Sequence, residues 1–332
     1  MASSPSDAGG PLLDVRDLCV DYVTIAGDVR AVDHVDLTLE AGEFLAIVGE
    51  SGCGKSTLLF AIAQLLTPPA EISGGSVVFK GKDMVRLAED ELRHSRWRDY
   101  SVVMQSAMNA LNPMKSIEAQ YTDVMRAHSA MSAGEIHARS EEVLRLVGVD
   151  PVHLRSYPHQ LSGGMRQRAM IAMALLFTPE LVIMDEPTSA LDVVAQRSLM
   201  SEIKELQRRF GFAVIFVTHD MSLVSHYSER LAVMYAGQLA ELSSTRALFD
   251  RPLHPYSVGL LDAFPSIHGP RRTLAGIPGS PPDLAHPPAG CRFQPRCPQA
   301  MDECAIRQPA LYRAGDSLVR CLLYEPAPET VR

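Results

Sequence analysis

No apolar stretch in this chain approaches the roughly 20 residues that a membrane-crossing helix needs. The longest candidate, "AMIAMALLF", is far too short, so any membrane role has to come through a partner. Net positive charge is also lacking. A formal charge of -8 argues against broad nucleic-acid binding, because phosphates call for a basic surface. The opening "MASSPSDAGGPL" has neither a basic region nor an apolar core. No secretory leader is expected there, and residues 1–10 are expected to be disordered. Cysteine is scarce up to residue 290, where only Cys19 and Cys53 occur, and four more then fall between Cys291 and Cys321. What is present is ordinary globular material: 332 residues, 46% apolar and 21% charged. That is ample for a large core, as one domain with appendages or as two domains.

The apolar pattern changes along the chain. "LLDVRDLCVDY" alternates like a half-buried strand, and "VDLTLEAGE" reads as a second strand ending at a turn. "FLAIVGESGCGKSTLLFAIAQLL" reads as a buried strand, a glycine loop and a helix. "GGSVVFKGKDM" reads as a strand entered through a Gly-Gly turn. From about 107, Met, Ala and Glu in helical runs predict a helical insertion, taken to about 177. "LVIMDEP" and "AVIFVTHD" are short apolar runs ending in acid or histidine, as buried parallel strands with chemistry at their carboxyl ends would be. "DVVAQRSLMSEIKELQRRF" between them has helical periodicity, and "RLAVMYAGQLAEL" predicts a hairpin at the sheet edge. Proline becomes dense from about 250, and "IPGSPPDLAHPPAG" looks like a rigid linker.

"GESGCGKST" has the spacing G-x-x-x-x-G-K-[ST] from Gly49 to Ser56, between an apolar run and a helical pattern. Glycines at Gly49, Gly52 and Gly54 let main-chain N–H groups, with those of Ser51, Cys53 and Thr57, curl round phosphate oxygens at a helix N-terminus. Lys55 brings charge to the β- and γ-phosphates, and Ser56 offers a hydroxyl to Mg²⁺. Asp185 ends an apolar run, where it can hold Mg²⁺, and Glu186 beside it can polarise a water. Two adjacent carboxylates are also common on solvated surfaces. Ser162, Gly163 and Gly164 in "LSGGMRQRAMIAMAL" precede a helical run. Alone they read as a helix cap; beside a phosphate loop they read as a second anion contact, to a nucleotide held by another subunit.

Together these motifs resemble the ATP-binding subunit of an ABC transporter, over residues 12 to 250 and in that family's order. "LVIMDE" is similar to Walker B, and "LSGGM" to the ABC signature, with Met165 where Gln is commonest. "VVMQ" puts Gln105 at the Q-loop, "SALD" puts Asp192 at the D-loop, and "VTHD" puts His219 at the switch. Tyr22 falls where the family stacks an aromatic on adenine, though a Tyr ending a strand also fits packing. The resemblance implies an α/β fold of the P-loop NTPase ABC-cassette kind: a mixed sheet core, an antiparallel β subdomain and a helical insertion, over residues 11–250. It implies a head-to-tail dimer holding two ATP molecules. Each would lie between Gly49–Thr57 of one chain and Ser162–Gly164 of the other. Glu186 would position water, His219 would meet the γ-phosphate, and Gln105 would touch Mg²⁺ and sense the insertion.

The tail sharpens the resemblance. "RPLHPYSVGLLDAFP", "IPGSPPDLAHPPAGCRFQPRCPQAMDEC" and "YPHQLSGGMRQR" are similar to the oligopeptide, dipeptide and nickel importer subgroup. That implies an ATPase energising a peptide importer at the cytoplasmic face of the membrane. It would be peripheral to two permease subunits, with a second, similar ATPase and a solute-binding protein outside. Residues 251–332 would be the subgroup's C-terminal extension. Cys291, Cys297, Cys304 and Cys321 are separated by five, six and sixteen residues, which fits neither a C-x-x-C zinc ribbon nor the usual ferredoxin run. Disulfides are disfavoured in a reducing cytosol. A four-iron, four-sulfur cluster, attributed to a few members of the family, is one reading of these thiols; zinc is its rival and unmetallated thiols the third. A metal is expected to staple a tail with little apolar material. Two other functions compete. A soluble ABC-type ATPase acting on ribosomes or DNA is weakened by the acidic balance. A phosphate-loop kinase fails on "LSGGM" and on Glu186, which suits water rather than a substrate hydroxyl.

Overall fold

The computed structural model describes residues 10–25, 27–104, 110–189, 191–263 and 276–326. Most of the expected disordered segment, the Q-loop residue Gln105 and the start of the helical insertion lie outside them.

Strands β1 (Leu13–Tyr22) and β2 (Val29–Leu39) pair antiparallel. The buried strand β3 (Phe44–Val48) and helix α1 (Lys55–Ile62) flank the glycine loop. Strands β4 (Ala70–Phe79) and β5 (Lys82–Asp83) return to the antiparallel sheet, in order β2-β1-β4-β5. Helix α2 (Glu89–Ser95) and strand β6 (Tyr100–Val103) follow. The helical insertion supplies α3 (Ile117–His128), α4 (Ala133–Leu146) and α5 (Gly163–Ala174). Then come β7 (Leu181–Asp185), α6 (Val193–Phe210), β8 (Ala213–Val217), α7 (Met221–Tyr227) and the hairpin β9 (Arg230–Tyr235) and β10 (Gln238–Ser244). Helices α8 (Thr245–Asp250) and α9 (Pro255–Asp262) lead into the tail, which ends in strands β11 (Tyr312–Ala314) and β12 (Ser317–Val319).

The second sheet runs β11-β12-β10-β9-β3-β8-β7-β6. Its pairs from β6 to β9 are parallel and those from β9 to β11 antiparallel. The central parallel strands β3 and β8 are wholly apolar because both faces are covered. Phe44, Ala46 and Val48 of β3 join a core with the insertion, α6 and Val214 and Phe216 of β8. Leu45 and Ile47 face the other way, into a core with α1 and the antiparallel sheet. Residues of one strand thus alternate between two cores. In α6, Leu199, Ile203 and Leu206 recur at helical spacing and are buried. Asp192 starts that helix by accepting from Ala195 N–H at 2.9 Å, and Gly211 ends it.

Three expectations change. Gly74 and Gly75 are no turn: β4 runs through them. Gly75 has φ +83°, and a Cβ there would lie 2.4 Å from the Asp17 carbonyl oxygen. The pairing with β1 slips register between Arg16 and Cys19, so this glycine admits a bulge. The β9–β10 hairpin is not the edge, because β12 and β11 extend the sheet beyond it. Nor does the tail lack a core. Tyr256 and Phe293 are buried with Tyr235, at ring separations of 4.6 to 5.5 Å. A sequence window cannot show this, because the pocket for Phe293 is made by residues far away in the chain.

Candidate nucleotide site

Strands β3, β7 and β8 end side by side, and their carboxyl ends open on a cavity of about 480 Å³. It is lined by Gly49, Ser51, Gly52, Gly54, Lys55, Ser56 and Thr57 of the glycine loop and α1, with Glu186 and His219 from the ends of the neighbouring strands. Tyr22, Val29 and Ala31 of the antiparallel sheet and Leu284 of the tail close it. Of the loop residues singled out from the sequence at 49–57, all but Cys53 line this cavity. Cys53 is absent from the lining and its side chain packs in the core. Its carbonyl accepts from Gly237 N–H at 2.9 Å, which ties the loop to the turn between β9 and β10.

Gly54 caps α1 with φ +98°, and a Cβ there would sit 2.2 Å from the Ala31 carbonyl oxygen. Only glycine brings the loop that close to β2. The buried Lys55 ammonium donates to the carbonyls of Gly49 and Glu50, both at 2.9 Å, which centres it in the loop. Tyr22 Oη lies 3.2 Å from Thr57 Oγ1, which ties the antiparallel sheet to the start of α1.

Asp185 is buried, and its Oδ1 has no hydrogen-bond partner. Burial raises its pKa first of all, and the charge of Glu186 adds to this; a hydrogen bond from Ser56 opposes it. An orphaned buried oxygen is costly unless something claims it. Beside a phosphate loop, with the Ser56 hydroxyl next to it, a divalent cation fits. Glu186 follows with φ +46°, a conformation that costs a non-glycine residue energy and recurs where a side chain must be aimed. Its Oε1 stands 3.4 Å from His219 Nδ1.

Ser162 caps α5 by accepting from Met165 N–H at 3.3 Å. Ser162, Gly163 and Gly164 are absent from the cavity lining, and a Cβ on Gly164 would meet nothing within 4 Å. Asp192 is likewise outside the cavity, at the start of α6. Val29, Ala31 and Leu284 escaped sequence reasoning, because an apolar residue that lines a ligand carries no mark of it.

The four tail cysteines gather in one region. The Cys291 N–H donates to the Cys304 carbonyl at 2.8 Å. The Cys321 thiol is pushed up to about 11, by burial first and then by the other three thiols. Tetrahedral zinc holds its sulfurs at about 3.8 Å from one another. Among the described residues, the one trio of metal-binding atoms within 4.8 Å of one another is Cys19, Asp33 and His34, so the tail thiols do not stand at zinc spacing. That trio already encloses a cation: Arg30 Nη1 lies 3.7 Å from Cys19 Sγ and from Asp33 Oδ1.

A glycine loop at a helix N-terminus, beside a buried carboxylate oxygen that has no partner, is the site of a phosphate-loop nucleoside triphosphatase. The helical insertion between β6 and β7 narrows that class to ATP-binding cassettes. The ABC transporter profile matches residues 32–189, and that of the oligopeptide/dipeptide transporter C-terminal region matches 240–304. The dipeptide transport ATP-binding protein DppD of Caldanaerobacter subterraneus is 41% identical, over 95% of this chain and 97% of its own. The oligopeptide transport ATP-binding protein OppD of Escherichia coli is 44% identical, over 93% and 91%. The dimeric ATP-binding cassette MJ0796, in a post-hydrolysis state with ADP and Pi, is 29% identical with a TM-score of 0.63, over 70% of this chain and 99% of that one. This chain belongs to the ABC transporter family as one of its ATP-binding, ATP-hydrolysing proteins. A soluble ATPase acting on ribosomes or DNA is not favoured by these matches.

Proposed function

We propose that this chain is the ATPase subunit that energises an importer of dipeptides or oligopeptides, docked on transmembrane permease subunits at the cytoplasmic face of a membrane. The observation that carries this reading is the peptide-transporter tail at 240–304 joined to a cavity lined by the phosphate loop, Glu186 and His219. No helix among the described residues is long and apolar enough to cross a membrane, which is consistent with a peripheral subunit. A second, similar ATPase and an external solute-binding protein complete the proposed assembly.

In this reading Gly49–Thr57 wraps the phosphates, and Lys55 contacts the β- and γ-oxygens. Tyr22 packs on the adenine. Ser56, Asp185 and Gln105 would hold Mg²⁺, which when bound neutralises charge on the phosphates. Glu186 orients a water and takes its proton as the water attacks the γ-phosphorus, and His219 donates to a γ-oxygen. Ser162, Gly163 and Gly164 serve the nucleotide of a partner cassette, which agrees with their place outside this chain's own cavity; Asp192 lies on the same proposed interface. Closure of two cassettes on ATP would then turn the permease, and hydrolysis would release it. For the thiols, a four-iron, four-sulfur cluster on Cys291, Cys297, Cys304 and Cys321 remains the proposal, with Zn²⁺ as the alternative.

Reconstitution tests the function. The chain, with the permease subunits that copurify with it, should drive ATP-dependent uptake of labelled dipeptides or longer peptides into proteoliposomes when the binding protein is added. ATPase activity with no peptide uptake across that series would overturn the transport reading. Iron and acid-labile sulfide in anaerobically purified protein test the cluster; stoichiometric zinc in a colourless protein would replace it.

A further inference from the structure

Glu50 is the only acidic residue in the phosphate loop "GESGCGKST". A carboxylate is an awkward neighbour for a polyanion, since like charges repel most where solvent is partly excluded. The tail answers that charge. Arg296 forks onto the Glu50 carboxylate, Nη1 to Oε2 at 2.6 Å and Nη2 to Oε1 at 2.9 Å. The guanidinium is itself fixed: its Nε donates to the Pro278 carbonyl at 2.8 Å, and it lies over the Tyr235 ring. The Arg296 side chain is 5% exposed. The main chain of Glu50 is gripped from the same side, its N–H donating to the hydroxyl of the buried Tyr256 at 2.9 Å. Of the three groups on Glu50, Lys55 holds the carbonyl, and the C-terminal extension holds the other two.

We infer that Arg296 is a positioning residue for ATP binding: it cancels the charge of Glu50 and, with Tyr256, holds the entrance of the phosphate loop in its anion-binding shape. This rests on the reading of the cavity as an ATP site. It goes further by making nucleotide affinity depend on the extension. A residue that only docked the tail would act on stability and leave the Glu50 charge irrelevant.

Equilibrium ATP affinity and ATPase kinetics of the full chain, assembled with its permease partners, separate the two. Arg296→Ala should weaken ATP binding about 10-fold. The loss should appear in KM, with kcat at saturating ATP within about 2-fold of wild type. Adding Glu50→Gln to Arg296→Ala should restore affinity to within about 3-fold, because the repelling charge is gone. The deficit of the single variant should also shrink as salt rises. Unchanged affinity in Arg296→Ala, or a double variant as weak as the single, overturns the inference. If Arg296→Ala does not fold, Glu50→Gln alone decides. It removes one negative charge from the loop at equal size, so affinity should rise about 3-fold; an unchanged or lower affinity overturns the inference. Lys55→Ala runs in parallel. Wild-type ATP binding in that variant would overturn the ATP-site reading itself, and the inference with it.

Discussion

The loop Gly49–Gly54 and the tail segment Gly290–Cys297 both lean on one turn, the Ala236–Gly237 link between β9 and β10. The loop meets it through main chain, with the Cys53 carbonyl on Gly237 N–H at 2.9 Å. The tail meets it through a side chain, with Arg292 donating to the Ala236 carbonyl and to Asp33 at 2.6 Å. Main-chain contacts demand particular backbone angles, hence glycines at fixed spacing. Side-chain docking demands only a matching pocket, which the rest of the fold supplies. The two regions should therefore fail in different ways when altered: the loop in chemistry, and the tail in stability and, through Arg296 alone, in ATP affinity.

The largest separation is expected at Glu186. Glu186→Gln should cut ATP turnover by about 10³-fold and leave nucleotide trapped, because an amide cannot take the proton from water. Its unfolding temperature should stay close to wild type. Single-turnover hydrolysis beside calorimetry checks this, and turnover near wild type would remove Glu186 from its role.

Next comes the anchor of the other region. Phe293 is 2% exposed and packs edge-on to Tyr235. Truncating such a ring costs about 3 kcal/mol, so Phe293→Ala should lower denaturant stability by that much while kcat at saturating ATP changes little. A drop in kcat as deep as that of Glu186→Gln would merge the two regions.

The cassette was legible because each signal was local. Lys55, Asp185, Glu186 and His219 each end or follow an apolar run; the structure puts Lys55, Glu186 and His219 around one crevice at the ends of β3, β7 and β8, with Asp185 buried behind Ser56 and outside the lining. Leu284 was not legible, since nothing in "SPPDLAHPP" distinguishes a ligand wall from a linker. The Arg296–Glu50 pair spans 246 positions, and neither residue carries a local mark of the other. The Gly74–Gly75 pair misled because glycine marks a turn and a bulge equally well, and only the carbonyl of Asp17 on the neighbouring strand decides between them.

A smaller effect should appear with pH. His254 caps α9, accepting from Tyr256 N–H at 3.0 Å, and its pKa is lowered to about 4, chiefly by burial. The folded state therefore keeps it neutral, whereas the unfolded chain takes up a proton near pH 6.5. The stability it contributes is present above that value and is lost as pH falls toward 4. Between pH 7.5 and 5 the loss is roughly 2 kcal/mol. His254→Asn keeps an acceptor but cannot titrate, so its stability should fall less steeply with acid than that of wild type. Parallel pH curves would show that His254 contributes nothing to acid lability.

The smallest effect expected is also the one best able to break the comparison. If side chains hold the tail, its thiols are not needed to keep it docked. Cys297 is partly buried, and burial followed by the charge of Cys304 raises its pKa, so it packs as a neutral thiol. Replacing it by Ser in chelator-treated, full-length protein should cost under about 1 kcal/mol, as for a partly buried side chain at the rim of the core. A loss as large as that of Phe293→Ala would mean that the sulfurs, and not the aromatic cluster and the two arginines, keep the extension on the sheet. The phosphate loop would then lean on a metal-stapled strut, and ATP affinity should fall together with the stability of the tail.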